Sequence, residues 1–297
     1  HAFAHLPRRA GTGPSGNRNE YLRALAYPFG NAKADRVLAA YGKFATAVAS
    51  ASLPLWYQRA QAIATLVPLV KKPLTAAQLA TRETPDVRPI AVGECVLRAI
   101  GRALAESSRD SFAHALHPQQ LGVGVDGGIS TLIHGTRLLL EHRPELVVVR
   151  IDIKNAYNAI NRSVLLRRVA EHPDLAGVVP LLHAVLAPAT DLLVGAGRAR
   201  LFGDAPDGRG DSSTGVQQGF ALSSGAFCIA LHPELIALDA ELTPFGGVAR
   251  AIMDDVYAVG PRDTVFAAVA RFQTAVAGLL GLSIVPAKLA CFSFGAD

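Results

Sequence analysis

Asp152 stands inside an otherwise apolar, β-branched run, Leu146-Val-Val-Val-Arg-Ile-Asp-Ile153, and Asp254-Asp255 lie between two more apolar runs, Val248–Met253 and Val256–Val259. A carboxylate in such a setting is costly unless it is paired or bound to a cation. Three carboxylates at strand ends form the donor set of a hard divalent cation. Two such ions, about 3.5–4 Å apart, activate an attacking oxygen and stabilise a leaving one. The plainer alternatives are a strand-end aspartate capping the next helix and aspartates serving a tight turn. Between these acids stands Thr214-Gly-Val-Gln-Gln-Gly219, read as the opening of a helix whose free N–H groups suit an anion. Gly215 and Gly219 would let a ligand approach the backbone, although an ordinary helix start after a loop reads the same way.

The elements that must position these residues follow from periodicity. Along Leu146–Ile153, side chains alternate, so Val148, Arg150 and Asp152 share one face and Val149, Ile151 and Ile153 the other. The two runs around Asp254-Asp255 predict a hairpin, and Leu192–Val194 with Ala199–Phe202 predict another, followed by a polar loop from Gly203 to Gly215. Leu66–Val70 predicts a short strand ending in Lys71-Lys72, and Thr75–Asp86 a polar connection. Arg88-Pro-Ile leads into a helix carrying Val96, Leu97, Ile100 and Leu104. Helices are expected over much of 34–64, from the glycine-rich loop Gly122–Gly128 through Leu140, around Ile160–Val169, over Phe220–Leu238 and through Leu280, with closing strands near Ile284 and Cys291–Phe294. Helices interspersed with antiparallel hairpins predict an α+β architecture, an antiparallel sheet covered by helices.

Composition narrows the function classes. A chain of 297 residues that is 50% hydrophobic and 18% charged is neither disordered nor a charge-driven scaffold. Three scattered cysteines make neither a disulfide framework nor a zinc site, and favour an intracellular setting. Val178–Val194 and Phe266–Val285 are too interrupted by polar residues to span a membrane. The net charge of +5 is matched by the first 50 residues alone, which hold seven Lys or Arg against Glu20 and Asp35. Such a basic extension suits a polyanionic partner. The start at His1, without an apolar signal core, reads as an excised piece of a longer protein.

The order of the motifs says more than any one of them. Ile151-Asp-Ile-Lys-Asn-Ala-Tyr-Asn158, Gly215-Val-Gln-Gln-Gly219, Ile252-Met-Asp-Asp255 and Leu282-Ser-Ile-Val-Pro-Ala-Lys288 follow one another as motifs A, B, C and D do in a reverse transcriptase palm. Lys71-Lys72, Arg88-Pro-Ile and Gln120-Leu-Gly-Val-Gly-Val-Asp-Gly-Gly128 are similar to that family's fingers segments. Over roughly residues 60–295 the chain thus resembles an RNA-directed DNA polymerase, most of all the non-LTR retrotransposon branch.

The resemblance implies a palm and fingers without a thumb. Residues 1–60 would form a basic extension, 61–145 a fingers-like segment and 146–297 the palm. It implies catalysis by Asp152, Asp254 and Asp255, with two Mg²⁺ ions (or Mn²⁺) held by these acids and the backbone carbonyl of Ile153. Tyr157 aligns with the aromatic gate that rejects a ribose 2′-hydroxyl. Gln218 and Gly219 would line the nucleotide pocket, Arg88 with Lys71 or Lys72 would hold the triphosphate, and Lys288 would stand near the leaving pyrophosphate. The implied partners are an RNA template, a DNA primer and dNTPs, with no membrane. Target-primed copying would add access to chromosomes.

Two departures stand out: Ile252 where an aromatic residue is usual in motif C, and Phe220-Ala-Leu-Ser where motif B usually continues with a polar pair. No endonuclease, RNase H or zinc-knuckle segment is visible. The alternative is a truncated or inactive retroelement-derived domain that binds nucleic acid without catalysis. The formal dinucleotide fingerprint at Gly122, Gly124 and Gly127 lacks a strand before it, His114 and His117 lack a third metal ligand, and Arg209-Gly-Asp211 is a chance tripeptide.

Overall fold

A β-branched stretch, Leu146–Lys154, pairs with three other strands and forms the spine of the larger of the two sheets among the described residues. The computed structural model describes residues 5–26, 32–75, 78, 80, 87–194 and 209–294. Its elements run α1 (Asn19–Ala26), α2 (Ala32–Ala49), α3 (Leu55–Ala62), β1 (Ala64–Val70), β2 (Val87–Gly93), α4 (Cys95–Ser107), α5 (Arg109–Leu116), α6 (Gly128–His142) and β3 (Leu146–Lys154). There follow α7 (Ala156–Ala159), α8 (Arg162–Ala170), α9 (Val179–Leu186), β4 (Thr190–Val194), β5 (Arg209–Ser212) and α10 (Ala221–Leu242). Last come β6 (Val248–Ile252), β7 (Asp255–Pro261), α11 (Arg262–Leu280), β8 (Ser283–Ile284) and β9 (Ala290–Phe292).

Two compact units share the chain. One comprises residues 1–104, 180–213 and 217–222, the other 105–179, 214–216 and 223–297. They interleave, whereas the division expected from sequence (1–60, 61–145, 146–297) is consecutive. The reason lies in pairing: β4 joins β1 in parallel, Ala64 opposite Leu192, across more than a hundred residues that no local pattern connects.

In the first unit the sheet order is β2-β1-β4-β5. β1 and β2 are antiparallel with Leu69 opposite Arg88 and Val70 opposite Val87, so Lys71, Lys72 and Arg88 gather at one end of this pair. Leu6 and Leu22 pack with Cys95 and Ala99 of α4 in a small core of the same unit. Arg88-Pro-Ile does lead into the expected helix, α4, and itself takes strand form in β2, because the run pairs along its length with β1. Arg209–Ser212, expected within a polar loop, forms β5 by hydrogen bonding to β4; a ladder needs backbone groups, not apolar side chains. Ala199–Phe202 and most of Thr75–Asp86 lie outside the described residues.

The second unit carries an antiparallel sheet in the order β6-β7-β3-β8, with β9 also on β3. Alternation along β3 is as the side-chain period requires: Val149, Ile151 and Ile153 are buried, while Arg150 and Lys154 are exposed and Asp152 is half-buried. Val265, Val269, Phe272, Val276 and Leu280 give α11 a buried stripe at helical spacing, and the helix packs over β3 and β7. Leu140 of α6 packs with Leu146 and Val259. Phe227, Leu231, Leu235 and Leu238 of α10 are all buried. By length and composition this is the one helix among the described residues able to cross a membrane, but it is mostly buried in the protein, as a core helix is. Arg168 of α8 makes two bonds to the buried Glu234 carboxylate of α10, at 2.6 and 2.7 Å, which satisfies a charge that would otherwise be isolated.

Candidate active site

β6 and β7 are joined by the two-residue turn Met253-Asp254, with Ile252 opposite Asp255. Met253 takes a left-handed φ of 56°, uncommon for a side chain of its size. β7 then pairs with β3 so that Asp255 stands directly opposite Asp152. Directly opposed residues of an antiparallel pair point to the same face, their Cβ atoms about 4.5–5.5 Å apart. Asp152, Asp255 and the Asp254 turn, a hundred residues apart in the chain, are thus brought to one end of one sheet, and all three acids are half-buried.

Each cross-strand acid has a cation. Lys288 Nζ lies 3.0 Å from Asp152 Oδ2, delivered by β8, which pairs Ile284 with Ile153, and by the 3-10 turn that follows. Arg150, two residues before Asp152 on the same face, donates to Asp255 Oδ1 at 2.8 Å. Among the described residues no three His, Cys, Asp or Glu side chains are gathered into a ready-made metal site. Two opposed carboxylates, with a third on the adjoining turn, present only hard oxygen atoms, the donor type that magnesium-like cations take.

Tyr157 follows the strand on α7. Its ring stacks on Phe227 of α10, centroids 4.8 Å apart, and its hydroxyl lies 3.3 Å from Ser224 Oγ. Burial pushes the phenol well above its usual range, with the nearby Cys228 and Asp254 acting in the same direction. Cys228, fully buried on the same helix, has its thiol raised by burial and again by Asp254.

Thr214–Val216 is laced onto the segment after Asp152. Gly215 N–H donates to Ile160 O at 2.9 Å, Val216 N–H to Tyr157 O at 2.6 Å, and Arg162 Nε to Gly215 O at 2.6 Å. Gly215 has φ 67°, and a Cβ there would stand 2.3 Å from the Asn158 backbone, so only glycine fits. The helix itself begins at Ala221, so Thr214–Gly219, read as its opening turn, precedes it as a loop, and the body expected from Phe220 starts one residue later. Gln218 is half-buried and Gly219 is exposed at φ 105°, both in the turn before α10, while Gln217 is buried and donates to Ala62 O.

The structure thus brings Asp152, Ile153, Tyr157, Asp254, Asp255 and Lys288 together in the second unit. Lys71, Lys72, Arg88, Gln218 and Gly219 belong to the first, where the two lysines and Arg88 are exposed. Sequence reasoning passed over Arg150 as a partner of Asp255, although the alternation that put it on the face of Asp152 was the available signal. It also read Gln120 only as the start of a fingers-like segment, whereas its side chain bonds the turn that carries Asp254.

No protein-family model matches the sequence, and no curated protein matches it. Solved structures do. Apo telomerase from Candida tropicalis truncated from its C-terminal domain matches with a TM-score of 0.54 at 12% identity, over 80% of this chain and 51% of that one. Apo telomerase from the same organism matches with a TM-score of 0.55 at 12% identity, over 78% and 44%. Telomerase from Candida albicans in complex with a TWJ fragment of telomeric RNA matches with a TM-score of 0.55 at 13% identity, over 81% and 44%. The chain therefore spans about half the length of these telomerases. At such identity the likeness is one of fold: these neighbours are reverse-transcriptase-fold proteins, and this chain is similar to them in fold over about four-fifths of its length.

Proposed function

We propose that the chain is the palm-and-fingers part of an RNA-directed DNA polymerase, adding dNTPs to a primer 3′ end on an RNA template. The observation that carries this reading is the direct opposition of Asp152 and Asp255, with Asp254 on the adjoining turn, in a fold shared with telomerases. The ordered motifs support the finer assignment to a non-LTR retrotransposon-like element, working inside the cell with access to chromosomes.

Asp152, Asp254, Asp255 and the Ile153 carbonyl would hold the two Mg²⁺ ions. When bound, those ions lower the pKa of the attacking hydroxyl and neutralise charge on the phosphates. The bond that forms joins the primer 3′ oxygen to the α-phosphorus, the hydroxyl proton passing to water, and the bond that breaks is the one from that phosphorus to its bridging oxygen, which releases pyrophosphate. Little covalent chemistry is asked of the protein, so positioning and charge do most of the catalysis. Lys288, beside Asp152, supplies a cation and a proton for the departing pyrophosphate. Lys71, Lys72 and Arg88, to which the resemblance gives the triphosphate, lie at one end of the β1–β2 pair. Gln218 and Gly219 line the base and sugar, and the Tyr157 ring, braced flat against Phe227, excludes a 2′-hydroxyl.

Primer extension on an RNA template with dNTPs and Mg²⁺ or Mn²⁺ tests the proposal. Extension by the wild-type chain, lost in Asp254→Asn with template binding retained, is the expected result. Salt-sensitive template binding with no extension under either metal would replace the polymerase with a nucleic-acid-binding domain.

A further inference from the structure

Between α5 and the glycine-rich loop, Gln119–Leu121 runs beside β6. Gln120 bridges Ala251 in parallel, Leu121 N–H donates to Ala251 O at 2.8 Å, and Ala251 N–H donates to Gln119 O at 2.7 Å. From this fixed backbone the Gln120 side chain, 1% exposed, reaches the turn ahead of Asp254. Its Oε1 accepts from Met253 N–H at 2.8 Å and from Gly122 N–H at 3.0 Å, and its Nε2 donates to Met253 O at 3.0 Å. One buried amide thus binds both backbone polar groups of Met253, the residue held at φ 56°. That conformation is strained for a side chain with a Cβ and persists only where its surroundings over-determine it.

Gly122 closes the clamp from the other side. A Cβ there would stand 2.8 Å from Met253 N, 3.0 Å from Gln120 Oε1 and 3.3 Å from the carbonyl carbon of Ile252. The glycine is required by the approach of its backbone to the turn, not by a phosphate. An independent tie lies further back on the same hairpin. Asp239 of α10 accepts from Ala249 N–H at 2.7 Å, from Arg250 at 2.8 Å and from Gln119 at 2.9 Å, which locks Gln119 and β6 to one carboxylate. The β6–β7 hairpin is therefore gripped at its base by Asp239 and at its tip by Gln120.

We infer that Gln120 is a positioning residue: it holds Met253 left-handed and so sets the direction in which Asp254 presents its carboxylate. The catalytic consequence rests on the polymerase reading, whereas the clamp does not. Gln120→Met keeps the length and apolar volume of the side chain but removes both hydrogen-bonding ends; Gln120→Glu keeps the acceptor and loses the donor. Three measurements apply to each folded variant: amide hydrogen exchange at Met253 and Asp254, Mn²⁺ affinity by electron paramagnetic resonance, and kcat against KM in primer extension. For Gln120→Met the expected results are faster exchange at Met253, and Mn²⁺ affinity and kcat each lower by about 10- to 100-fold, the range for residues that orient metal ligands. The KM for primer–template should stay within about twofold, since loss of a positioning contact acts on the chemical step. Gln120→Glu should restore protection of the Met253 amide, and it carries the test if Gln120→Met does not fold. Exchange at Met253 and Mn²⁺ affinity unchanged in a folded Gln120→Met protein would overturn the inference. If the wild-type chain extends no primer, the polymerase reading fails, and exchange at Met253 still decides the clamp: faster in Gln120→Met supports it, unchanged removes it.

Discussion

Asp152 and Asp255 oppose one another across the β3–β7 ladder, yet each is neutralised from a different direction, Asp152 by Lys288 at 3.0 Å and Asp255 by Arg150 at 2.8 Å. Like charges set directly opposite repel, so this alternation of acid and base makes the pair tolerable at the end of an otherwise apolar strand. Lys288 reaches Asp152 only because β8 lies against the end of β3.

Lys288 therefore competes with any cation that Asp152 is to hold. Lys288→Met should tighten Mn²⁺ binding severalfold while slowing nucleotide addition by about 10²-fold, as expected when a general acid is lost. Titration with Mn²⁺ and single-turnover extension check the two effects separately. Weaker Mn²⁺ binding in this variant would show that the lysine supports the acid site instead of competing for it.

Tyr157 separates a steric role from a polar one. Tyr157→Phe keeps the plate stacked on Phe227 and gives up the contact with Ser224, a hydrogen bond of about 1 kcal/mol. Discrimination between dNTP and rNTP should then be nearly unchanged. Tyr157→Val removes the plate and should lower that discrimination more than it lowers dNTP incorporation. The ratio of kcat/KM values for the two nucleotides is the measurement, and equal ratios in both variants would exclude a gate at this position.

What could be read in advance was whatever a local period encodes. β3 announced itself by its β-branched run, and its alternation correctly placed Asp152 and Arg150 on the face opposite Ile151. The turn at Asp254 was visible because two apolar runs enclose it. β5 was not legible: Arg-Gly-Asp-Ser has no apolar pattern, and its strand geometry comes from backbone bonding to β4. The interleaving of the two units was hidden for a similar reason, since the parallel pairing of β1 with β4 leaves no trace in either segment. Within the site, the aspartates stood out because they break an apolar pattern, whereas Gln120 opens a glycine-rich motif whose local pattern says nothing of its bond to a turn more than a hundred residues away.

Two glycines of the motif before α10 should respond very differently to a methyl group. Both have positive φ, 67° at Gly215 and 105° at Gly219. A Cβ at Gly215 meets the Asn158 backbone at 2.3 Å, while at Gly219 the nearest atom is Ala91 O at an ordinary 3.8 Å. Gly219→Ala should therefore cost only backbone strain, about 1–2 kcal/mol. Gly215→Ala adds a clash with main chain that cannot move freely, for a total of about 3 kcal/mol or more. Denaturant unfolding of the two variants gives the comparison, and equal losses would mean that the Thr214–Val216 segment is not held against Asn158 in solution.

His232 makes stability depend on pH in a defined direction. It is buried on α10, its Nδ1 makes no hydrogen bond, and burial, aided by the neighbouring His172, brings its pKa down from 6.5 to about 4. In the unfolded chain the imidazole takes up a proton as the pH falls through 6.5; in the folded chain it resists until about 4. Within that window the unfolded state binds more protons, so stability is full above pH 6.5 and declines as the pH is lowered toward 4. Aspartate and glutamate titration overlaps the lower part of the window, which makes a comparison with His232→Leu necessary. Replacing the imidazole with an apolar side chain removes its share of the slope and leaves the carboxylates alone. The loss of unfolding free energy between pH 7 and pH 4.5 should thus be smaller in His232→Leu than in wild type. Equal losses would place the imidazole in contact with water, contrary to its position on a helix whose neighbours Ala230, Leu231 and Leu235 are all in the core.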